Sequence, residues 1–309
     1  MSHPFPRRRR RTSAGVLFCG VLLVLTMLLA ACGSGGSTST GSGSGSTPNP
    51  QTPTVTPPRD LLTPGTLTVG SDTTYPPQEY IDTTTGQPAG FDIDLITAVA
   101  QRMGLQVHVV STGFDTIIDG LIAKRFDVVI SAVTINPDRQ QKVDFVPYFN
   151  AGESLLVQKG NPHNIKTVSD LCGQAVGVQS GTVEQTDLQT ADKACKSSNK
   201  PGINMTVLKD QTAVVQLLAT NRVVATYQDS PVTDYYIKQN PGQFEVGGSV
   251  VNAAPEGIVI RKNDTSMFNA VKSAFDSLKA DGGYRNLINK WGLTSGAISM
   301  MDRRVQIAA

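Results

Sequence analysis

The chain has 309 residues, with 27 Lys and Arg against 25 Asp and Glu for a formal charge of +2. Six Arg and one Asp fall in residues 1–65, which leaves 21 basic against 24 acidic side chains, or −3, for the 244 residues from 66 onward. With no basic run in that part and few, scattered aromatics, a phosphate-tracking nucleic-acid surface is excluded and a binder of small solutes fits better.

At the amino terminus, Arg7 to Arg11 form a cationic head, and Ala14 to Ala31 is an uncharged apolar stretch that runs into Cys32. This is a secretory signal in outline, residues 1–31. The competing reading is a retained anchor, which needs about 20 apolar residues. Against it, small residues stand directly before a Cys that opens low-complexity sequence. The quartet Leu29-Ala30-Ala31-Cys32 resembles the bacterial lipobox, which implies lipidation of Cys32 as the first mature residue. The export route stays open. Residues 33–47 are all Gly, Ser and Thr, and residues 48–64 add six Pro. Such composition cannot bury a core, so residues 32–65 are expected to be a solvated tether reaching about 30 Å.

From Thr66 onward, short β-branched runs alternate with helical patterns. Buried strands are expected at Leu67–Gly70, Val107–Ser111, Asp127–Val133, Ala175–Gln179, Met205–Leu208 and Val223–Tyr227. Helices are expected at Asp94–Met103, Asp115–Lys124, Thr182–Cys195, Thr212–Thr220, Val232–Gln239, Met267–Lys279 and Tyr284–Trp291. This alternation is α/β, with open, mostly parallel sheets and helices on both faces. Two extended stretches, Glu153–Gln158 and Gly257–Arg261, interrupt the rhythm. If the chain leaves one lobe at the first and returns at the second, residues 66–156 and 254–309 build lobe 1 with the carboxyl-terminal tail, and 157–253 build lobe 2. Periodicity alone permits one continuous sheet as well. A strand followed by a Ser/Thr turn occurs twice, at Ser131–Thr134 and Ser180–Thr182, and two such turns facing each other would make a cleft.

Only Cys172 and Cys195 remain in the part after the leader, with no neighbouring His. In an exported protein they read as one structural disulfide rather than a metal site, two buried thiols being the alternative. Closing that loop would stabilise by about 3 kcal/mol. No metal or cofactor is expected: His108 and His163 lack ligand spacing, and neither a Walker loop nor a dinucleotide fingerprint follows a strand.

The stretches Gly70-Ser71-Asp72-Thr73-Thr74-Tyr75-Pro76-Pro77, Gly90-Phe91-Asp92-Ile93-Asp94-Leu95, Phe126 to Ser131 running into Asp138-Arg139, Val176 to Thr182, and Gln228-Asp229 occur in that order. As a set they resemble the polar amino-acid-binding proteins of ABC importers, solute-binding protein family 3, over residues 66–292. The resemblance implies a two-lobed clamshell of the periplasmic-binding-protein type (type II) that closes on one free L-amino acid, polar or basic favoured. It would be a monomer on the outer face of the cytoplasmic membrane, lipid-anchored, delivering its ligand to the membrane permease of an ABC transporter, without catalysis.

By position, the resemblance makes Arg139 the clamp for the ligand carboxylate, since a guanidinium fork matches a carboxylate bidentately. Ser131, Thr134 and the backbone N–H groups around Ala132 would complete that pocket. Asp229 would accept from the α-ammonium, with Gln179, Ser180, Gly181 and Thr182 adding contacts. Tyr75 and Phe114 would wall the side chain, and Asp72 would face its far end. A relative specific for glutamine has Lys where this chain has Gln179, so that ligand cannot be copied across.

Duller readings stand beside these. Arg139 could be a solvated helix-start charge, Asp229 a turn or N-cap residue, and Tyr75 and Phe114 packing residues. Asp92 and Asp94 read as helix-terminus carboxylates. Ser180 is no nucleophile, because the glycines around it lack elbow spacing. The same fold also serves cyclohexadienyl dehydratases and murein lyases, where a cleft carboxylate moves protons. Glu184 is the residue to watch for that, although a first-turn helix Glu is its ordinary role. A ligand-gated sensor would need a second membrane segment, and no apolar run after residue 32 supplies one.

Overall fold

The structure, a computed structural model, describes residues 53–298, so the expected signal peptide, Cys32 and the first part of the expected tether lie outside the described residues. β1 (Thr66–Ser71) leads into β2 (Thr74–Tyr75), β3 (Glu79–Ile81) and β4 (Pro88–Ala89), which form a small antiparallel sheet of their own. α1 (Phe91–Arg102) buries Phe91, Leu95, Ile96, Val99 and Ala100 along one face, the 3.6-residue spacing of a core-facing helix. It starts three residues before the expected position. The N–H groups of Phe91 and Asp92 donate to the carbonyls of Pro77 and Gln78, which anchors the first turn on the preceding loop. Gly104, at φ +69, ends the helix.

β5 (Gln106–Ser111) runs parallel to β1 in unbroken register. The expected helix at 115–124 divides into a 3₁₀ turn, Phe114–Thr116, and α2 (Ile117–Ile122). The expected strand Asp127–Val133 shortens to β6 (Val128–Val129), because from Ser131 the chain turns away with Ala132 at φ +45. α3 (Pro137–Lys142) and β7 (Val143–Gln158) follow.

The second half contributes β8 (Ala175–Gln179), α4 (Val183–Ser197), β9 (Asn204–Leu208), α5 (Gln211–Ala219), β10 (Ala225–Asp229) and α6 (Ser230–Gln239). β8 pairs in parallel with both β9 and β10. β11 (Phe244–Arg261), α7 (Thr265–Ala280) and α8 (Gly283–Trp291) then return to the first half. Cys172 and Cys195 are disulfide-bonded, Cα to Cα 5.6 Å, which pins α4 to the turn before β8.

The hydrogen-bonded ladder is continuous through eight strands, in the order β5-β1-β6-β11-β7-β10-β8-β9. The hydrophobic cores, however, are separate. Val146, Tyr148 and Phe149 of β7 pack with Leu67, Leu95, Ile96, Val271 and Phe275. A few residues later the same strand packs Leu155 and Val157 with Val176, Leu188 and Tyr227. β7 and β11 thus pass from one lobe of a clamshell into the other as an antiparallel pair, and their register slips between Gly247 and Ala254 and again at Glu256/Gly257. Bulges weaken a ladder locally and let it bend.

The chain before β1 departs from the expected solvated tether. The N–H groups of Thr54 and Val55 donate to the carbonyl of Arg102, and the N–H of Leu62 donates to Asp127. Val55 and Leu61 pack on the first core and Pro58 is buried. The apolar residues scattered among the prolines dock the segment, which composition alone does not reveal. Among the described residues no helix is long and apolar enough to cross a membrane.

Candidate functional site

The loop after β1 carries Asp72 and Tyr75, and the turn after β6 carries Ser131, Ala132 and Thr134. The hydroxyl of Ser131 joins the two, accepting from the N–H of Asp72 at 2.9 Å and donating to Glu79 at 2.8 Å. The Ala132 N–H is already committed: it donates to the buried carboxylate of Asp92 at 3.0 Å, so it does not supply the free donor expected of it. Asp92 also accepts from Tyr148, while Asp94 accepts from Lys290 and Trp291. Both lie in the first turn of α1, yet neither caps it.

Arg139 is set by its helix. Asn136 caps α3 by accepting from the Arg139 N–H, and Pro137 fixes the first turn. The guanidinium donates to the carbonyl of Thr134 at 2.8 Å and, across the cleft, to that of Gly181 at 3.1 Å. It lies 5.4 Å from the centre of the Phe114 ring, a cation–π contact. Burial lowers its pKa, against the pull of Glu184 and Asp229.

From the second lobe, Asp229 ends β10, where it accepts from the Tyr75 hydroxyl at 2.9 Å and returns its own N–H to the same oxygen. Burial lifts its carboxyl to about 6, although the Tyr75 bond and Arg139 oppose the rise. Gln179 donates to Asp72 from the opposite lobe and to the Lys209 carbonyl. Asp72 likewise rises to about 6, chiefly through burial. Tyr75 and Ala132 pack against Val232 and Tyr236 of α6, so an apolar seam accompanies these polar bridges.

One cavity between the lobes is lined by Asp72, Tyr75, Phe114, Ser131, Ala132, Thr134, Arg139, Gln179, Thr182 and Asp229. Two expected residues stand outside that lining. Ser180 gives its N–H to Leu208, and Gly181 faces a neighbouring groove past Arg139. Thr182 caps α4 through its hydroxyl, accepting from the Gln185 N–H. Three further residues line the cavity: Glu79, Val183 and Glu184. Nothing in the spacing marks Glu79, which reaches the cleft only because Ser131 folds against it. Arg139 is the sole basic side chain of the lining, against the carboxyls of Asp72, Glu79, Glu184 and Asp229. Among the described residues no cluster of His, Cys, Asp or Glu is arranged to hold a metal ion.

This geometry has known counterparts. The L-cystine-binding protein TcyJ of Escherichia coli K12 is 32% identical over 228 residues, covering 74% of this chain and 82% of the relative. The histidine-binding periplasmic protein of Salmonella typhimurium LT2 is 31% identical over 237 residues, covering 74% and 88%. Among solved structures, an ancestral arginine-binding protein bound to arginine superposes with a TM-score of 0.68 at 36% identity, covering 74% of this chain and 98% of that one. The family model for bacterial extracellular solute-binding proteins, family 3, matches residues 67–294, and the chain belongs to that family.

Proposed function

We propose that this chain is an extracytoplasmic receptor that closes on one free L-amino acid and delivers it to the permease of an ABC transporter. The observation that carries the reading is that Arg139 and Asp229, from opposite lobes, line one cleft. A zwitterionic ligand presents a carboxylate to the guanidinium fork and an ammonium to the carboxylate, and so ties the lobes together. Asp72 and Gln179 form the polar end, and Tyr75 and Phe114 are the aromatic walls of the same cleft. The surplus of carboxyls favours polar or basic side chains, in keeping with relatives whose names record histidine and arginine.

In this reading residues 66–156 and 254–309 form lobe 1 and 157–253 form lobe 2, with β7 and β11 as the hinge. The protein acts as a monomer and not as an enzyme. Leu29-Ala30-Ala31-Cys32 supports a lipid anchor at Cys32 after removal of residues 1–31. Membrane fractionation of a Cys32→Ala variant checks the anchor: an unchanged membrane-bound fraction rejects it. Calorimetry against the twenty amino acids, after unfolding and refolding to strip bound solute, tests the receptor. A micromolar or tighter polar or basic amino acid is the expected result, and no binder among the twenty rejects it. Turnover of prephenate or arogenate would favour the dehydratase alternative instead.

A further inference from the structure

We infer that Glu184 is a ligand-binding residue, a second carboxylate beside Asp229 for the amino group of the amino acid. The inference rests on the receptor reading above. Its sequence position, two residues past the N-cap of α4, marks an ordinary first-turn carboxylate that faces water and interacts with the helix dipole. The structure puts it elsewhere. Glu184 is 2% exposed and lines the same cavity as Arg139 and Asp229.

Its Oε1 has no hydrogen-bond partner among the described residues. A buried carboxyl oxygen without a donor is uncommon in folded proteins, and one in a binding cleft is accounted for when the ligand brings the donor. Asp229 cannot satisfy an ammonium alone: the group carries three N–H donors, while one Asp229 oxygen already accepts from Tyr75. Glu184 Oε1 supplies an acceptor on the same wall.

The charged and titratable neighbours that act on Glu184 agree with that placement. Burial first, then repulsion from Asp229 at the end of β10 and Glu153 on β7, push the carboxyl well above the usual range, so the cation brought by the ligand is what ionises it in the complex. Arg139 on α3 is the cation that feels it, and Tyr75 on β2 is raised by it. Two carboxyls lining one cavity accommodate a cation there better than an anion or a hydroxyl. Glu184 therefore selects for a free amine over the α-hydroxy or α-keto acid with the same side chain.

The test compares the full chain with Glu184→Gln, which keeps the shape but replaces the ionisable carboxyl with a neutral amide. Calorimetry at pH 7.5 is run with each of the twenty L-amino acids and, for the tightest of them, with the α-hydroxy acid of the same side chain. The variant should lose about 10-fold or more in affinity for the amino acid and less than about 3-fold for the hydroxy acid, the pattern expected when a charge-assisted bond is lost. Equal losses for both probes would mark a merely structural role and overturn the inference, as would unchanged affinity for the amino acid. If the parent binds none of the twenty, the receptor reading itself fails. Should Glu184→Gln not fold, Glu184→Asp keeps the charge but withdraws it by one methylene. It should narrow the preference for amine over hydroxyl, and an unaltered preference would overturn the assignment.

Discussion

The Tyr75 hydroxyl and the Asp229 carboxylate, 154 positions apart in the chain, bond across the cleft at 2.9 Å, and the Asp229 N–H returns to the same hydroxyl. One residue belongs to the loop after β1 and the other to the end of β10, so the pair exists only while the lobes are together. The closed form thus carries a polar clasp made by the protein itself, next to the apolar seam of Tyr75, Ala132, Val232 and Tyr236.

Tyr75→Phe keeps the seam and removes both bonds of the clasp. It should weaken amino-acid binding by about 10- to 150-fold, as expected for a hydrogen bond to a charged group. Asp229→Ala and Arg139→Ala should cost more, about 30-fold to several thousand-fold, because each leaves a charged ligand group buried without its partner. Lys279→Ala, on α7 far from the cleft lining, should leave affinity unchanged. Full affinity in both charge variants, measured by calorimetry, would reject the roles given to them.

Gly181 is held by two constraints at once. Its φ is +81, and a Cβ there would stand 2.8 Å from the Cα of Asp115 on the facing lobe. The backbone of one lobe therefore meets that of the other with no room for a methyl group. Gly181→Ala should cost about 1–2 kcal/mol in backbone strain and, separately, hold the lobes apart. The expected result is at least tenfold weaker binding and, by small-angle X-ray scattering, a larger radius of gyration with amino acid present than the parent shows. A variant that closes as fully as the parent would show that this approach does not limit closure.

Much of this architecture is legible in the chain itself, and the limits are informative. β8 and the helices show because their apolar spacing is local, and Gly104 stops α1 by its own chemistry. The extent of β7 and β11 is hidden, since their ends pair with each other across a hundred residues and include exposed stretches without alternation, such as Gly248–Asn252. β6 is shorter than the expected 127–133 because Ile130 and Val133 are apolar as core residues on either side of the turn at Ser131 and Ala132, where the ladder breaks. Arg139, Asp72 and Asp229 could be placed by motif order. Glu79 could not, and Glu184 stands out in the sequence only as a carboxylate just past the second cleft turn, because burial of a carboxyl is a property of what folds over it.

Acid should act oppositely on the empty and the loaded protein. Asp72 and Asp229 are raised from 3.8 to about 6, chiefly by burial, and burial also raises Glu79, Glu184 and Glu256 well above the usual range. A carboxyl with a raised folded-state pKa binds more protons folded than unfolded, so stability falls as pH climbs from about 4 through 6. The thermal midpoint of ligand-free protein should drop over that window. Amino-acid affinity should instead rise, since Asp229 must be ionised to hold an ammonium, by up to about tenfold per pH unit below 6 for one linked proton. Calorimetry at pH 5, 6 and 7 checks the sign; affinity that is flat, or greater at pH 5, would rule out an ionised Asp229 as the ammonium partner.

On the proposed receptor reading, the contact between Gln179 and Asp72 is where the far end of the ligand would be selected. Gln179 donates to Asp72, which also accepts from the Thr74 hydroxyl at 2.8 Å, so the carboxylate sits among neutral donors and, among the described residues, no cation is bonded to it. A guanidinium or ammonium on the ligand would supply that balance. Asp72→Asn should therefore lower affinity for arginine, lysine or histidine by about 10- to 100-fold while changing glutamine by less than about 3-fold, the difference between losing a charged and a neutral hydrogen bond. Gln179→Lys tests the same idea from the other lobe. It places an ammonium beside Asp72 and fills the role of the ligand's cation, so basic amino acids should fall in rank and glutamine should rise. Competition calorimetry with arginine and glutamine on the parent and both variants reads this directly. An unchanged ranking in both would show that selectivity at this end does not depend on the charge of Asp72.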